Sequence, residues 1–296
     1  MRKIITMQCT MALAMVLFLL SCKGLTDDEP IPSYIHISKI DLEVKSDGTQ
    51  GSNAHDIVDA WVYADKKLIG LFELPVTIPI IKSGNTEITV FAGIKKNGRT
   101  ADRVAYPMYT PFVKTLNLVP KQIDTLQPKV TYKEGAKFTW IEDFEDQSVS
   151  MEKFGNNASI DTLFITNNPT EVFRYDGNTN NFSGLIKFNG PGTFEHANIN
   201  PFEIPKMSDV FLEVNYKCDV NVEFGFLAIG SITYQIPVVL AFPTTEWKKM
   251  YIGFTEDYNA SEFASYNKMK VFIKAINATA GAQPKIYIDN LKLVHF

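Results

Sequence analysis

The sequence predicts an all-β protein of two β-sandwich domains, the C-terminal one jelly-roll-like. Three observations carry this prediction. Apolar residues alternate at period two through most of the chain, Gly, Pro and Asn punctuate the alternating runs, and no stretch sustains a helical period. With 45% hydrophobic and 12% aromatic residues, the chain can bury two sizeable cores and lacks a disordered composition.

The first domain is predicted over residues 34–127. "YIHISKIDLEVK" alternates from its first residue, and "DIVDAWVYADKKLIGLFELP" places Val58, Ala60, Val62 and Ala64 on one face before a turn at Asp65-Lys66-Lys67. "NTEITVFAGI" and "KTLNLVP" supply further strands. Residues 128–137, within "LVPKQIDTLQPKVTYKEG", read as an extended linker, with Pro120, Pro128 and Gly135 as turn formers. Residues 138–296 form the second domain, in which "FSGLIKFNG", "DVFLEVNYKC", "NVEFGFLAI", "EWKKMYIGF" and "NKMKVFIKAI" recur at the spacing of a two-sheet sandwich.

Ahead of the first strand lies an address. Met1-Arg2-Lys3 is a basic start and Met11 to Leu20 an apolar run too short to span a bilayer, so residues 1–21 read as a signal peptide. Leu19-Leu20-Ser21-Cys22 resembles a bacterial lipobox, which implies a thioether-linked lipid on Cys22. Residues 22–33 form an acidic tether. Asp27, Asp28 and Glu29 resemble the export signal of surface-exposed lipoproteins from Bacteroidota-type outer membranes; the other reading is a merely solvated spacer. The expected location is the outer membrane, lipid-anchored and facing the cell surface.

The net charge of −4 argues against nucleic acid as a partner. Of the three cysteines, Cys9 lies in the signal and Cys22 carries the lipid, so Cys218 is left unpaired, and its alternating context predicts a buried strand thiol.

Residues 98–111, "GRTADRVAYPMYTP", gather Arg99, Arg103, Tyr106, Met108 and Tyr109. Such mixtures are enriched at protein interfaces, so Arg99, Arg103, Tyr106 and Tyr109 are candidate docking residues for an outer-membrane barrel or another lipoprotein. Alternatively, the tyrosines and methionine cover one end of the sandwich.

The N-terminal half, around "WVYADKKLIGLFELPVTIP" and "SGNTEITV", resembles transthyretin-like and PEGA-like extracellular modules. In the C-terminal half, the opening "DFE", the "TTEWKK" strand and the closing "IYIDNLKL" resemble the jelly rolls of carbohydrate-binding modules. That resemblance implies a possible structural calcium tying the first strand to the last, through Glu142 or Glu145 and Asp289. No other cofactor is implied.

A glycan site needs exposed aromatic faces beside amides. "FRYDGNTNNFSG" offers Tyr175 and Asn178, and Trp140 and Trp247 are the domain's tryptophans, although both lie in strand contexts that favour core packing. Asp124-Thr125-Leu126 and Asp161-Thr162-Leu163 resemble bacterial O-glycosylation acceptors, at Thr125 and Thr162. Catalysis is not expected: His36, His55, His196 and His295 are scattered, and no nucleophile elbow, Walker loop or HExxH occurs.

The expected function is therefore a non-catalytic docking or scaffold subunit of an envelope complex, in secretion, barrel assembly or nutrient uptake. The alternative is a glycan-binding surface lipoprotein whose C-terminal jelly roll reads polysaccharide. A glycoside hydrolase is a remote third.

Overall fold

In a computed structural model the described residues are 29–155, 162–175 and 180–296. Cys22, Asp27, Asp28 and Asn178 lie outside them, and Glu29 is exposed at their start.

The first unit contains β1 (Ser33–Ile37), β2 (Asp41–Glu43), β3 (Asp59–Ala64), β4 (Lys67–Glu73), β5 (Val76–Ile80), β6 (Gly84–Lys95), β7 (Arg103–Ala105), β8 (Phe112–Leu118), β9 (Ile123–Leu126) and β10 (Lys129–Thr131). A three-stranded sheet, β5-β1-β9, faces a five-stranded one in which β4, β3 and β6 run in order and β7 and β8 share the far edge of β6. Ile35, Ile37 and Ile78 meet Val62, Ile88 and Val90 between the layers, all fully buried. The predicted turn is a two-residue hairpin in which Asp65 and Lys66 both take positive φ, 47° and 65°. That hand matches the right-handed twist of the flanking strands. The predicted linker contains a strand, since β10 pairs in parallel with β2 from Lys129↔Asp41 to Thr131↔Glu43.

The second unit contains β11 (Lys137–Glu142), β12 (Met151–Lys153), β13 (Leu163–Thr166), β14 (Ser183–Lys187), β15 (Gly192–Asn198), β16 (Phe202–Glu203), β17 (Val210–Cys218), β18 (Val222–Ile229), β19 (Thr233–Ala241), β20 (Thr244–Gly253), β21 (Lys268–Asn277) and β22 (Lys285–His295). A single helical turn, α1 (Thr255–Tyr258), follows β20. Two six-stranded antiparallel sheets result. One has the order β13-β14-β22-β17-β20 with β11 also on β22, and the other the order β12-β15-β21-β18-β19 with β16 on β21. Phe188, Phe194, Phe224, Phe226 and Ile288 fill the space between them. Cys218 is buried there, and burial pushes its thiol up to about 11, which leaves it inert.

One bulge decides which way the last strand faces. Ile286 and Ile288 point into the core, yet so do Leu291 and Leu293, so the alternation changes parity between them. The change occurs at Asn290, which has φ 48°, where the β17–β22 register shifts by an extra residue on β22. Without it, period two would aim Lys292 into the apolar core. With it, Lys292 and Val294 stand on the outer face of the sheet.

The first unit covers that outer face. Phe211, Tyr251 and Val294 belong to one buried cluster with Tyr106, Met108, Tyr109 and Tyr132. Inside it, Glu213 accepts hydrogen bonds from the hydroxyls of Tyr106 (2.9 Å) and Tyr132 (2.8 Å) and pairs with Lys249 at 3.1 Å. The Lys292 ammonium donates to the Ser52 carbonyl. Burial pushes the Glu213 carboxyl up, but Lys249 and Lys292 outweigh it and hold it below the ordinary carboxylate range. The expectation that Tyr106 and Tyr109 form an exposed docking surface is thereby corrected: they are 3% and 2% exposed, and the partner they face is the chain's own second sandwich. Arg103 is likewise taken up internally, bonded to the buried Asp59 at 2.5 Å and to Glu73 at 3.1 Å.

Candidate functional site at the junction of the two units

The turn after β6 fixes the two units against each other. Lys96 bridges Tyr251 as an added strand residue, the Asn97 N–H donates to the Tyr251 carbonyl at 2.8 Å, and the Asn97 side-chain oxygen accepts from the Gly253 N–H at 2.9 Å. Gly98 follows at φ 68°, and a Cβ there would sit 3.1 Å from the Met250 methyl. Glycine meets both the backbone sign and the close approach.

Beside this seam, where the first unit stops covering the sheet, lies a groove of about 920 Å³. Its floor comes from the outer face of β17 and β20, with Asn215, Trp247 and Lys249. His55, Asp56, Lys95 and Arg99 line it from the first unit, and Phe173, Arg174 and Tyr175 from the segment ahead of β14. Leu240 and Phe242, both large and exposed, continue its apolar side.

An aromatic row crosses the groove. The His55 ring meets Tyr175 edge-on at 5.7 Å, Tyr175 lies parallel to Phe173 at 6.4 Å, and Phe173 meets Trp247 edge-on at 5.3 Å. Trp247 in turn approaches Tyr287 at 6.2 Å. The Phe173 N–H is held by the Ser183 hydroxyl at 3.0 Å, which fixes the segment carrying Tyr175. Trp247 and Tyr175 are half-buried, so each keeps part of a face open.

Polar groups converge beside the row. The Asp56 N–H donates to the Tyr251 hydroxyl at 3.1 Å, and Asp56 lines the groove. Partial desolvation raises its carboxyl above the ordinary value, with Lys95 and Lys248 pulling the other way, while the residue itself stays exposed at the groove's rim. Burial pushes His55 down to about 4, so the ring is neutral at physiological pH. Asn215 is 3% exposed and its side-chain oxygen has no hydrogen-bond partner among the described residues.

The sequence-predicted glycan residues therefore divide. Trp247 and Tyr175 come together, and Arg99, expected to dock a protein, joins them. Trp140 does not: it is buried between the two sheets, its indole N–H donating to the Ser150 hydroxyl at 2.9 Å. Phe173, Asn215, Asp56 and Lys248 were not singled out from sequence.

The proposed calcium ligands do not fit a cation. Glu142 is occupied by the N–H groups of Phe144 (3.1 Å) and Ser150 (2.6 Å) and by the Ser150 hydroxyl (2.5 Å). Glu145 caps the Asn181 and Phe182 N–H groups at 2.8 and 3.0 Å. Asp289 accepts from the Asn180 amide at 2.8 Å, from the Ser183 hydroxyl and from the Asn290 N–H at 2.6 Å. Burial pushes its carboxyl well above the carboxylate range, which favours the neutral acid. A calcium ion needs about six to eight free oxygen ligands. Among the described residues no group of three His, Cys, Asp or Glu could hold a metal. Thr125 and Thr162 are both exposed.

No protein-family model and no curated protein matches the chain. Among solved structures it is similar to TmCBM61 in complex with β-1,4-galactotriose, at 14% identity and a TM-score of 0.35, over 51% of this chain and 92% of that one. It is also similar to the CBM22-1 xylan-binding domain of Paenibacillus barcinonensis, at 12% identity and 0.37, over 55% and 97%. A third likeness is to the K3 adhesin domain of Lys-gingipain from Porphyromonas gingivalis, at 12% and 0.38, over 54% and 99%.

Proposed function

We propose that this protein is a non-catalytic, glycan-binding surface lipoprotein whose binding site is the junction groove. The observation that carries the reading is the half-open Trp247 and Tyr175 faces set beside Asn215, Asp56 and Arg99. Sugars stack their C–H faces on aromatic rings and hydrogen-bond their hydroxyl rims to amides and charged groups, and the groove offers both within one concavity. Hydrolysis is disfavoured because Asp56 is the one carboxylate among the described lining residues, whereas glycosidases use a pair.

The scaffold reading loses its main support with the burial of Tyr106 and Tyr109. Outer-membrane tethering through Cys22 remains part of the proposal on sequence pattern, and Cys22→Ser should release the chain from membranes.

The test is retention on immobilised polysaccharides. Wild type should be retained on at least one, while Trp247→Ala and Tyr175→Ala should lose retention and still unfold cooperatively, at a lowered midpoint because both rings pack in the row. Equal retention of Trp247→Ala would move the site elsewhere. No retention on any polysaccharide, with stoichiometric capture of an outer-membrane barrel instead, would restore the scaffold reading.

A further inference from the structure

Resting on that reading, we infer that the groove selects acidic polysaccharides, chains bearing carboxylate or sulfate groups, over neutral ones. Lys95, Arg99, Arg174 and Lys248 all line it, brought there from three separate parts of the chain and opposed by Asp56. Lys95, Arg174 and Lys248 form no ion pair among the described residues, and the single ion pair of Arg99 is a long, exposed one to Asp102 at 3.7 Å. The chain as a whole carries −4, so this local excess of cations runs against its composition.

Gathering like charges around one concavity raises its positive potential, which an anionic ligand neutralises. The guanidinium forks of Arg99 and Arg174 suit the planar oxygens of a carboxylate or the oxygens of a sulfate. An uncharged sugar hydroxyl has a separate place. The Asn215 side-chain oxygen, buried and without a hydrogen-bond partner among the described residues, has capacity for one hydrogen bond. Trp247, Asn215 and the two arginines line the same groove, so stacking, a hydroxyl contact and an acid-group contact are all available to one bound chain.

The experiment measures affinity of the full-length protein for polygalacturonate, heparin, neutral galactan and a single-stranded oligonucleotide by titration calorimetry. Polygalacturonate or heparin should bind at least about tenfold tighter than galactan, with affinity falling as salt screens the groove. Whichever of the two binds identifies carboxylate or sulfate. The Arg99→Gln/Arg174→Gln double variant should lose that preference and keep the wild-type unfolding midpoint, because both side chains are exposed. Equal affinity for galactan, unchanged by salt, overturns the acid selectivity and leaves the glycan site standing. Absence of binding to every polysaccharide overturns both readings. Tighter binding of the oligonucleotide overturns the inference in favour of a phosphodiester ligand.

Discussion

The hydroxyl of Tyr106 lies 2.9 Å from a carboxylate oxygen of Glu213, 107 residues away on the central sheet of the second sandwich. Tyr132 donates to the same oxygen at 2.8 Å, and the Lys249 ammonium pairs with the carboxylate at 3.1 Å. A buried carboxylate is tolerated when charge partners and donors replace its water, so these side chains bind the two units through one polar centre.

Removing one donor exposes that dependence. Tyr106→Phe leaves the apolar packing intact but strips a hydrogen bond from a buried anion, and should lower stability by about 1–3 kcal/mol in denaturant unfolding. Tyr234→Phe, at an exposed tyrosine, is the control and should change nothing measurable. Equal effects from the two would remove the polar centre from the account of the junction.

The same centre predicts a pH dependence. Burial brings the Lys292 amine down from 10.5 to about 7, with Glu213 pulling it up, Lys249 pushing it down and Asp143 adding a small upward pull. Between those two values the unfolded chain holds more protons than the folded one, so stability rises with pH. The penalty of burying the ammonium is fully present below about 7 and fades toward 10.5. Tyr106, Tyr132 and Tyr251 are held well above 10.0 by burial, so they work against stability only at the top of this window. Lys292→Met should flatten the rise in denaturation midpoint between roughly pH 7.5 and 9.5. An unaltered slope would mean that another group produces it.

Gly225 admits no side chain. A Cβ there would lie 2.2 Å from the Ile236 carbonyl oxygen and 2.6 Å from the Phe272 ring. The contact with backbone cannot be relieved by a rotamer change, so Gly225→Ala should destabilise by about 1–3 kcal/mol or more. A midpoint within error of wild type would show that the backbone at the Phe224/Gly225 register shift between β18 and β19 yields easily.

The Asp289 cluster behaves as a hydrogen-bond knot. EDTA should leave the melting temperature of the full chain unchanged, while Asp289→Ala should lower stability by about 1–3 kcal/mol, because Asn180 and Ser183 then lose a buried acceptor. A chelator-dependent melting temperature would return a cation to this place.

Both sandwiches could be read from the sequence because strand alternation is local: Ala60, Val62 and Ala64, or Val222, Phe224 and Phe226, reveal their buried face within a single strand. The turn at Asp65-Lys66 and the buried Cys218 were legible for the same reason. The parity change at Asn290 was legible in part. The apolar positions of "IYIDNLKL" switch from Ile286 and Ile288 to Leu291 and Leu293, but only pairing with β17 shows that the switch is one extra residue on β22 that turns Lys292 outward. The site was half legible. Trp247 and Tyr175 carry a chemistry that singles them out, but Trp140 has the same chemistry and ends in the core, since exposure depends on what packs above a strand. The Arg, Tyr and Met composition of residues 98–111 fitted both an external docking loop and a cover for the sandwich end; the burial of Tyr106, Met108 and Tyr109 follows the second, and composition could not choose because exposure is not local.

By itself, then, the sequence determined what near neighbours decide: two β-sandwiches, their buried faces, their turns, and the lipobox-like pattern ahead of them. Tertiary structure alone decided that Tyr106 and Tyr109 close a junction, and that Trp247, Tyr175, Asn215 and Arg99 share a groove. The reason is physical. Alternation and turn chemistry act over a few residues, whereas a contact such as Tyr106 with Glu213, or a groove shared by Arg99 and Trp247, joins positions more than a hundred residues apart, through packing that no local pattern encodes.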